Sequence, residues 1–300
     1  MMAISSDSFL AASRTHANSI EAQTAIAGLT NGLGAPFIHL RNLPVGDVPP
    51  TPTTATSLQK SDQTSEATLL GMAQRLGEPI GYAQEHGGDI VQNLFPLLSS
   101  VGRQLSTSSG VELAFHTETA FHPVRPHYLL LLCLRGDANA ATTLCSVDDL
   151  VRELSTETID VLRQTWFRCG VDESFGTGSP WFTAPHAVLS TDVHGVHTLR
   201  FDGDLTFGLN QPAEAAVAHL NNAIHRARSA VTLAGGDLLI IDNHRSVHGR
   251  SPFTARFDGT DRWLQRTFVI DDLGPSAAER HGRVITTSFE IANESSYVRL

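Results

Sequence analysis

The sequence predicts a mainly β fold with flanking helices, either a β-sandwich or a jelly roll with its helices packed outside. One supporting observation is a series of short apolar or alternating segments, separated by turn residues, that have the size of β-strands. The other is the scarcity of helical patterns, since residues 210–230 form the one long amphipathic helix and the rest are short. The 300 residues contain no internal repeat, and we expect a single domain spanning residues 1–300.

The first quarter of the chain contains few strong signals. Residues 1–35 are rich in Ala, Ser and Thr, and we expect a weakly ordered N-terminal extension with one weak helix. Residues 37–44 alternate in polarity and predict a strand, whereas the prolines of residues 49–54 exclude a helix there. Residues 65–76 have helical spacing, with Ser65 as the N-cap.

The middle of the chain alternates between turns, buried strands and short helices. We predict a turn and short strand at 85–92, buried strands at 128–134 and 141–145, and helices at 147–154 and 156–164. Ser146 and Asp149 form a capping box for the first of these helices. Residues 169–187 are rich in Gly, Ser, Pro and aromatic residues, which predicts a mobile lid over a site or, alternatively, a plain surface loop.

The last third contains the long helix and the most apolar strands. Asn210 is the predicted N-cap of helix 210–230, and Pro212 lies in its first turn. The predicted strands are 197–205, 238–242 and 262–270, and a loop is predicted to carry His248.

Composition excludes several classes of partner and location. The net charge is −10, and binding to nucleic-acid phosphates needs clustered positive charge, so we expect no nucleic-acid partner. No run approaches the roughly 18 apolar residues of a membrane span. We find no secretory leader, and the three cysteines form no C-x-x-C pair, so we expect a cytoplasmic protein.

A metal site is predicted from His116, Glu118 and His248. Residues two apart in a β-strand point to the same face, so the first two side chains converge. His248 follows the apolar run 238–242 and can supply a third ligand. Two His and one carboxylate with open coordination positions form the facial triad of non-haem Fe(II) oxygenases. In a chain with 14 His and 31 acidic residues, His-x-Glu also arises on surfaces by chance.

Two arginines lie on the last predicted strand. Arg262 and Arg266 share one face with apolar residues, so we expect both to point inward. A buried guanidinium needs an anionic partner because an unpaired buried charge is costly, and Arg suits bidentate capture of carboxylates. Two inward arginines indicate two ligand carboxylates, or one ligand and a protein acid. The alternative is ordinary salt bridges with Asp258 and Asp261.

Several motifs of a known family occur in this chain in a specific order and spacing. They are Phe-His-Thr-Glu-Thr-Ala-Phe-His, Arg-Pro-His-Tyr, Gly-Asp-Leu-Leu-Ile-Ile-Asp-Asn, Val-His-Gly-Arg-Ser-Pro-Phe-Thr and Phe-Asp-Gly-Thr-Asp-Arg-Trp-Leu-Gln-Arg. From about residue 38 to residue 273 the chain resembles the clavaminate synthase-like branch of Fe(II)/2-oxoglutarate oxygenases. That branch includes the asparagine and arginine hydroxylases of peptide-antibiotic biosynthesis. The resemblance implies a double-stranded β-helix, or jelly-roll, core.

The resemblance also implies a cofactor set. His116, Glu118 and His248 would be the catalytic residues that hold Fe(II), with O2 at an open position. Arg262 would bind the distal carboxylate of the cosubstrate 2-oxoglutarate, assisted by the hydroxyl of Thr143.

The same resemblance implies contacts with a small amino-acid-like substrate. Arg266 matches the position that binds the substrate α-carboxylate, Gln92 one near its amino group, and Glu85 a substrate-contacting acid. Asp202 falls near the far end of the substrate, and Asp204 can face the same way because it is two residues on. An acid pair suits a guanidinium better than a neutral amide. A solvated Asp-Gly-Asp turn is the alternative.

These features predict an enzyme, a dioxygenase that hydroxylates C3 of a free L-amino acid, such as arginine, in secondary-metabolite biosynthesis. The same chemistry on a neutral amino acid, a carrier-bound residue or a cyclic dipeptide, with hydroxylation or desaturation, is an alternative. A zinc-dependent hydrolase or lyase with the same three ligands is the alternative of a different class. A non-catalytic binding protein is a third.

Overall fold

The main chain forms two large β-sheets that pack against each other, with helices on both outer sides. The computed structural model describes residues 4–15, 20–32, 34–175, 181–192 and 194–289. The strands in these ranges are β1 (Phe37–Leu40), β2 (Glu78–Tyr82), β3 (Gln92–Leu94), β4 (Leu113–His116), β5 (Tyr128–Arg135), β6 (Ala141–Ser146), β7 (Phe167–Cys169), β8 (Leu189–Thr191), β9 (His197–Leu199), β10 (Thr206–Gly208), β11 (Ser229–Thr232), β12 (Leu238–Asp242), β13 (Ser246–Arg250), β14 (Trp263–Ile270), β15 (Arg280–His281) and β16 (Val284–Ile285). The helices are α1 (Asp7–Ser13), α2 (Ile20–Thr30), α3 (Thr64–Ala73), α4 (Val147–Glu153), α5 (Thr156–Leu162) and α6 (Gln211–Ala227).

The larger sheet has the strand order β1-β12-β5-β14-β2-β16-β15, and β3 also pairs with β14. Nearly every side chain of β5 and β14 is buried, because both faces of the sheet are covered. Arg266 of β14 lies opposite Leu131 of β5 on one edge and opposite Gln92 of β3 on the other. This register brings the predicted substrate-binding residues Arg266 and Gln92 together.

The smaller sheet has the order β11-β6-β13-β4. His248 of β13 lies opposite His116 of β4 and, on the other edge, opposite Leu144 of β6. The predicted loop around His248 is therefore wrong. Residues 246–250 form a strand because they pair with β4 on one edge and β6 on the other. These partners are distant in the sequence, so the polar residues that follow β12 gave no sign of a strand.

Successive apolar side chains of a strand point to opposite faces of its sheet, and together they form three layers of apolar core. In β5, Leu130 and Leu132 face helices α1 to α3, whereas Leu129 and Leu131 face the space between the sheets. The outer face of the smaller sheet, which includes Val247, packs on helices α4 to α6. The polar site described below interrupts the middle layer.

Local capping signals are mostly confirmed. The backbone N–H of Asp149 donates to Ser146 Oγ at 3.0 Å, and that of Ala213 donates to Asn210 Oδ1 at 3.0 Å. Ser65 is not a cap, because α3 begins one residue earlier and the Ser65 hydroxyl bonds the neighbouring carboxylate instead.

Two helices, rather than one, form in the described part of residues 1–35. Phe9 and Leu10 of α1 and Ile26 and Leu29 of α2 are buried against the larger sheet. The weak order expected of this extension stays a prediction. None of the helices in the described ranges combines the length and apolarity needed to cross a bilayer.

Candidate active site

Three side chains in and beside the smaller sheet form a candidate metal site. His116 and His248 are paired across β4 and β13, and Glu118 lies two residues beyond His116. One ligand atom from each of the three lies within 4.8 Å of the other two. The Nε2 atoms of His248 and His116 are 3.3 and 4.0 Å from Glu118 Oε1. Imidazole nitrogens with one carboxylate oxygen suit Fe(II) and also Zn²⁺.

Hydrogen bonds to the backbone hold this donor set in place. His116 Nδ1 lies 2.8 Å from the carbonyl oxygen of Ala114, which assigns the ring hydrogen to Nδ1 and leaves Nε2 free to bind a metal. The fully buried Asn243 accepts from the backbone N–H of Glu118 at 2.6 Å. It also donates to the carbonyl oxygens of Glu118 and Pro126 at 3.2 and 2.9 Å. Sequence reasoning missed Asn243, although it directly follows the apolar run of β12.

The charges at the site favour a cation. Burial alone would raise the pKa of Glu118, but Arg266 and the two histidines outweigh burial and hold this pKa below its usual range. Burial, followed by the nearby His116, lowers the pKa of His248 to about 4, so its imidazole is neutral at pH 7. An ionised carboxylate beside a neutral imidazole is the protonation state that metal binding requires.

Arg266 connects the metal site to the predicted amino-acid contacts. Its guanidinium donates to Gln92 Oε1 at 2.8 Å, to Glu118 Oε1 at 3.3 Å and to Glu85 Oε2 at 3.2 Å. Arg266 is only 4% exposed. Burial raises the pKa of Glu85, although Arg266 acts in the opposite direction. The structure therefore brings Arg266, Gln92 and Glu85 into one hydrogen-bonded group.

Arg262 is a buried cation without an acidic partner among the described residues. It is 8% exposed, and its guanidinium donates to the hydroxyl of Thr142 at 3.2 Å. The acid that influences it, Asp137, is itself paired with Arg256 at 3.1 Å. Because a buried unpaired guanidinium is costly, this arrangement indicates a site for an anionic ligand.

Two expectations about Arg262 need correction. Asp258 and Asp261 do not pair with it, because their carboxylates accept hydrogen bonds from residues of their own loop. The structure also places Thr142, rather than the predicted Thr143, in the cavity and against Arg262. Neighbouring residues of a strand point to opposite faces, and the buried Thr143 hydroxyl has no hydrogen-bond partner among the described residues.

Asp202 lies beside the metal site, and Asp204 lies at the exposed edge of the cavity. A β-bridge joins residues His116 and Asp202. Asp202 Oδ1 accepts from the backbone N–H groups of Asp204 and Leu205 at 2.9 and 3.0 Å, so the Asp-Gly-Asp turn considered as an alternative is present. Both acids nevertheless line the cavity, and burial raises the pKa of Asp202. The turn and a ligand-facing position are therefore compatible.

Asp172 is a cavity residue that sequence reasoning missed. It lies in the predicted lid 169–187, of which residues 176–180 fall outside the described residues. Burial raises the pKa values of Glu85 and Asp202, and the charge of Asp172 adds to both shifts, which places the three carboxylates around one space. The signal available in the sequence was an Asp-x-Ser turn, in which Asp172 Oδ1 accepts from the Ser174 backbone at 2.8 Å.

A cavity of about 530 Å3 joins these groups. The predicted site residues that line it are Glu85, His116, Glu118, Asp202, Asp204, His248, Arg262 and Arg266. Gln92 and Thr143 do not. Apolar residues such as Leu131, Phe121 and Phe175 form much of the remaining wall. A partly apolar cavity of this size with a few convergent polar groups is typical of a small-molecule site.

Comparisons with known proteins agree with this geometry. Residues 37–268 match the family model described as taurine catabolism dioxygenase TauD, TfdA family. The L-lysine 3-hydroxylase of Catenulispora acidiphila is 37% identical over 258 residues, which cover 83% of this chain and 72% of that protein.

Two solved structures superpose over most of the chain. Asparagine oxygenase, in complex with Fe(II), 2S,3S-3-hydroxyasparagine and succinate, has a TM-score of 0.88 at 35% identity and covers 95% of this chain and 91% of its own. The oxygenase OrfP, in complex with Fe, succinate and (3S)-hydroxy-L-Arg, has a TM-score of 0.79 at 29% identity, covering 89% and 87%. On the strength of the family match across most of its length, the chain belongs to the TauD, TfdA family of dioxygenases.

Proposed function

We propose that this protein is an Fe(II)- and 2-oxoglutarate-dependent dioxygenase that hydroxylates C3 of a free basic L-amino acid in secondary-metabolite biosynthesis. One observation carries the proposal. A single cavity contains a two-histidine, one-carboxylate cluster, a buried arginine that pairs with no acid of the described residues, and a hydrogen-bonded Arg-Glu group suited to an amino acid. Two relatives of this chain support the substrate class: one is named L-lysine 3-hydroxylase, and the other, OrfP, was solved with hydroxyarginine.

The donor set would hold Fe(II) and leave positions for the cosubstrate and O2. His116, Glu118 and His248 match the two-histidine, one-carboxylate pattern that keeps part of the coordination shell open. Bound iron, with 2-oxoglutarate and O2, supplies an oxidant that delivers one oxygen atom to the substrate and the other to succinate, with release of CO2. Arg262 and Thr142 would bind the distal carboxylate of 2-oxoglutarate, the anion that Arg262 otherwise lacks.

The Arg266 group would bind and orient the amino acid. Its guanidinium would pair with the substrate α-carboxylate, while Glu85 would accept from the ammonium group. Gln92, which does not line the cavity, would act by holding Arg266 in place. Because Glu85, Gln92 and Glu118 already hold Arg266, its position is set before the substrate arrives. Binding therefore costs little ordering of the protein.

A basic side chain would balance the three aspartates that line the cavity. Asp172, Asp202 and Asp204 all line it, and none of the ion pairs among the described residues involves them. Burial without a counter-charge is costly for a carboxylate, and a neutral amide would leave that cost in place. A guanidinium or ammonium group would remove it. This is the reason to favour arginine or lysine over a neutral amino acid.

Three further assignments accompany the proposed activity. We propose that the two facing sheets form a double-stranded β-helix, or jelly roll, in one oxygenase domain. We propose that residues 169–187, which carry Asp172, act as a lid over the cavity. The three cysteines are buried and free, which supports a cytoplasmic location.

The test of the proposal is succinate formation from 2-oxoglutarate, with Fe(II) and O2, across a panel of free L-amino acids. We expect turnover coupled to arginine or lysine. In Arg262→Gln we expect the KM for 2-oxoglutarate to rise by about 30-fold or more, because truncating one member of a buried charge pair costs about 2–5 kcal/mol.

Each other outcome has a distinct meaning. Coupling to a neutral amino acid alone would remove the basic substrate and keep the enzyme class. Turnover only of carrier-bound or cyclic compounds would contradict the role given to Arg266, since those compounds have no free α-carboxylate. No succinate with any compound, together with zinc-supported hydrolysis, would replace the oxygenase with a hydrolase.

A matched pair of variants tests which threonine assists Arg262. Thr142→Val is expected to raise the KM for 2-oxoglutarate by about 5-fold, because a net hydrogen bond contributes about 1 kcal/mol. Thr143→Val is expected to leave this KM unchanged, since its hydroxyl has no hydrogen-bond partner among the described residues. Steady-state succinate assays measure both. The reverse pattern would restore the assignment made from sequence.

A further inference from the structure

A second, smaller cavity is separate from the one described above. Its volume is about 220 Å3, and its wall includes Arg125, His186, Ser190, Thr198 and Arg200. We call it the arginine pocket. Its lining comes from three separate parts of the chain: the segment before β5, the end of the predicted lid, and the hairpin β8–β9. None of these residues lines the larger cavity.

The positive charges of the arginine pocket are not balanced by acids among the described residues. Arg200 donates through Nε to the carbonyl oxygen of Ala120 at 2.5 Å, an uncharged partner. The buried Arg125 NH1 and His186 Nε2 atoms have no hydrogen-bond partner within the described ranges. Burial, and then the charge of Arg200, lower the pKa of Arg125 to about 10, so the two guanidinium groups are close enough to repel each other. In a chain of net charge −10, such a pair is unexpected without a ligand.

We propose that the arginine pocket binds a small oxyanion such as inorganic phosphate. Guanidinium groups present paired N–H donors that match two oxygens of a phosphate, sulfate or carboxylate. An anion between Arg125 and Arg200 would offset their mutual repulsion and bind the Arg125 NH1 donor, which no described residue accepts from. The pocket volume suits a single small anion, which distinguishes it from the larger cavity.

The arginine pocket lies where segments that lead to the larger cavity meet. Arg200 lies two residues before Asp202, and its partner Ala120 lies two residues after Glu118. His186 lies at the end of the predicted lid. A bound oxyanion would therefore connect the segments that carry the metal-binding carboxylate, a substrate-facing acid and the lid.

Thermal unfolding in the presence of inorganic phosphate tests the proposal. The full chain, saturated with 2-oxoglutarate, is titrated with phosphate at constant ionic strength to exclude general screening. We expect a saturable rise in Tm of at least about 2 °C, because a ligand that binds only the folded state stabilises it. The rise should persist in Arg168→Gln, an exposed arginine of β7, and in Arg262→Gln, which removes the cosubstrate arginine. It should be lost in Arg125→Gln and Arg200→Gln.

The Tm of each variant without phosphate distinguishes a folding defect from a loss of phosphate binding. No acid of the described residues pairs with Arg125, so Arg125→Gln is expected to unfold at or above the wild-type Tm. Arg200→Lys, which keeps the charge, should retain a weaker response. Parallel titrations with sulfate and succinate identify the preferred oxyanion. An equal response to phosphate in Arg125→Gln, Arg200→Gln and Arg168→Gln, or no saturable response in the wild type, would overturn the proposal.

Discussion

Replacing His248 with alanine is expected to abolish succinate formation, with kcat reduced by more than about 100-fold. Loss of a partner that merely orients a metal ligand already costs about 10–100-fold, and His248 is itself one of the three donors. Its Nε2 lies 3.3 Å from Glu118 Oε1 on a strand that is paired on both edges, so no other described residue can take its place. Iron content and succinate are measured on the same preparation.

His244→Ala is the matched control for this prediction. His244 lies four residues earlier in the same segment, and its ring stacks on that of His127 at a centroid distance of 4.6 Å, outside the cavity. We expect this variant to bind iron and form succinate at the wild-type level. Equal losses in His244→Ala and His248→Ala would indicate a folding defect. Full activity in His248→Ala would reject the metal site.

Removing the negative charge at Asp172 or Asp202 is expected to abolish the preference of the enzyme for basic amino acids. Asparagine keeps the Oδ1 acceptor that each turn uses, so the backbone geometry should persist. A hydrogen bond to a charged group contributes about 1.5–3 kcal/mol, so kcat/KM for arginine or lysine should fall by about 10- to 100-fold in each variant. For neutral amino acids kcat/KM should stay the same or rise. Competition assays with paired substrates measure this ratio directly.

Glu173→Gln is the control for the acid variants. Glu173 is adjacent to Asp172 and lines the same cavity, but it is exposed and pairs with Arg103. Exposed ion pairs contribute about 0–1 kcal/mol, so this variant should keep the wild-type preference. A parallel loss for basic and neutral substrates in Asp172→Asn would assign the residue to loop structure. An unchanged preference in both acid variants would separate these carboxylates from substrate selection.

Strand periodicity predicted which nearby side chains would face the site. Arg262, directly before β14, and Arg266, within it, both line the cavity. His116 ends β4 and Glu118 lies in the turn beyond it, where Asn243 holds the Glu118 backbone beside His116. The caps at Ser146 and Asn210 could also be predicted, since they depend on hydrogen bonds within a few residues.

A resemblance to a family does not distinguish two neighbouring residues of the same type. Thr142 and Thr143 differ only in which face of β6 they occupy, and that face depends on pairing with β13 and β11. A shift of one residue reverses every side chain of a strand. The structure therefore has the hydroxyl of Thr142, and not that of Thr143, beside Arg262.

The sequence by itself predicted the family, from ordered motifs along residues 38–273, and the three candidate metal donors. It also predicted the inward arginines, because their spacing along one strand is a local pattern. Only the tertiary structure decided that His248 lies in a strand, that Asn243 holds the backbone of Glu118, and that Asp172 joins the other cavity acids. These features bring together residues that are far apart in the chain. Such contacts depend on the packing of both sheets and the path of the intervening loops, and no short segment contains that information.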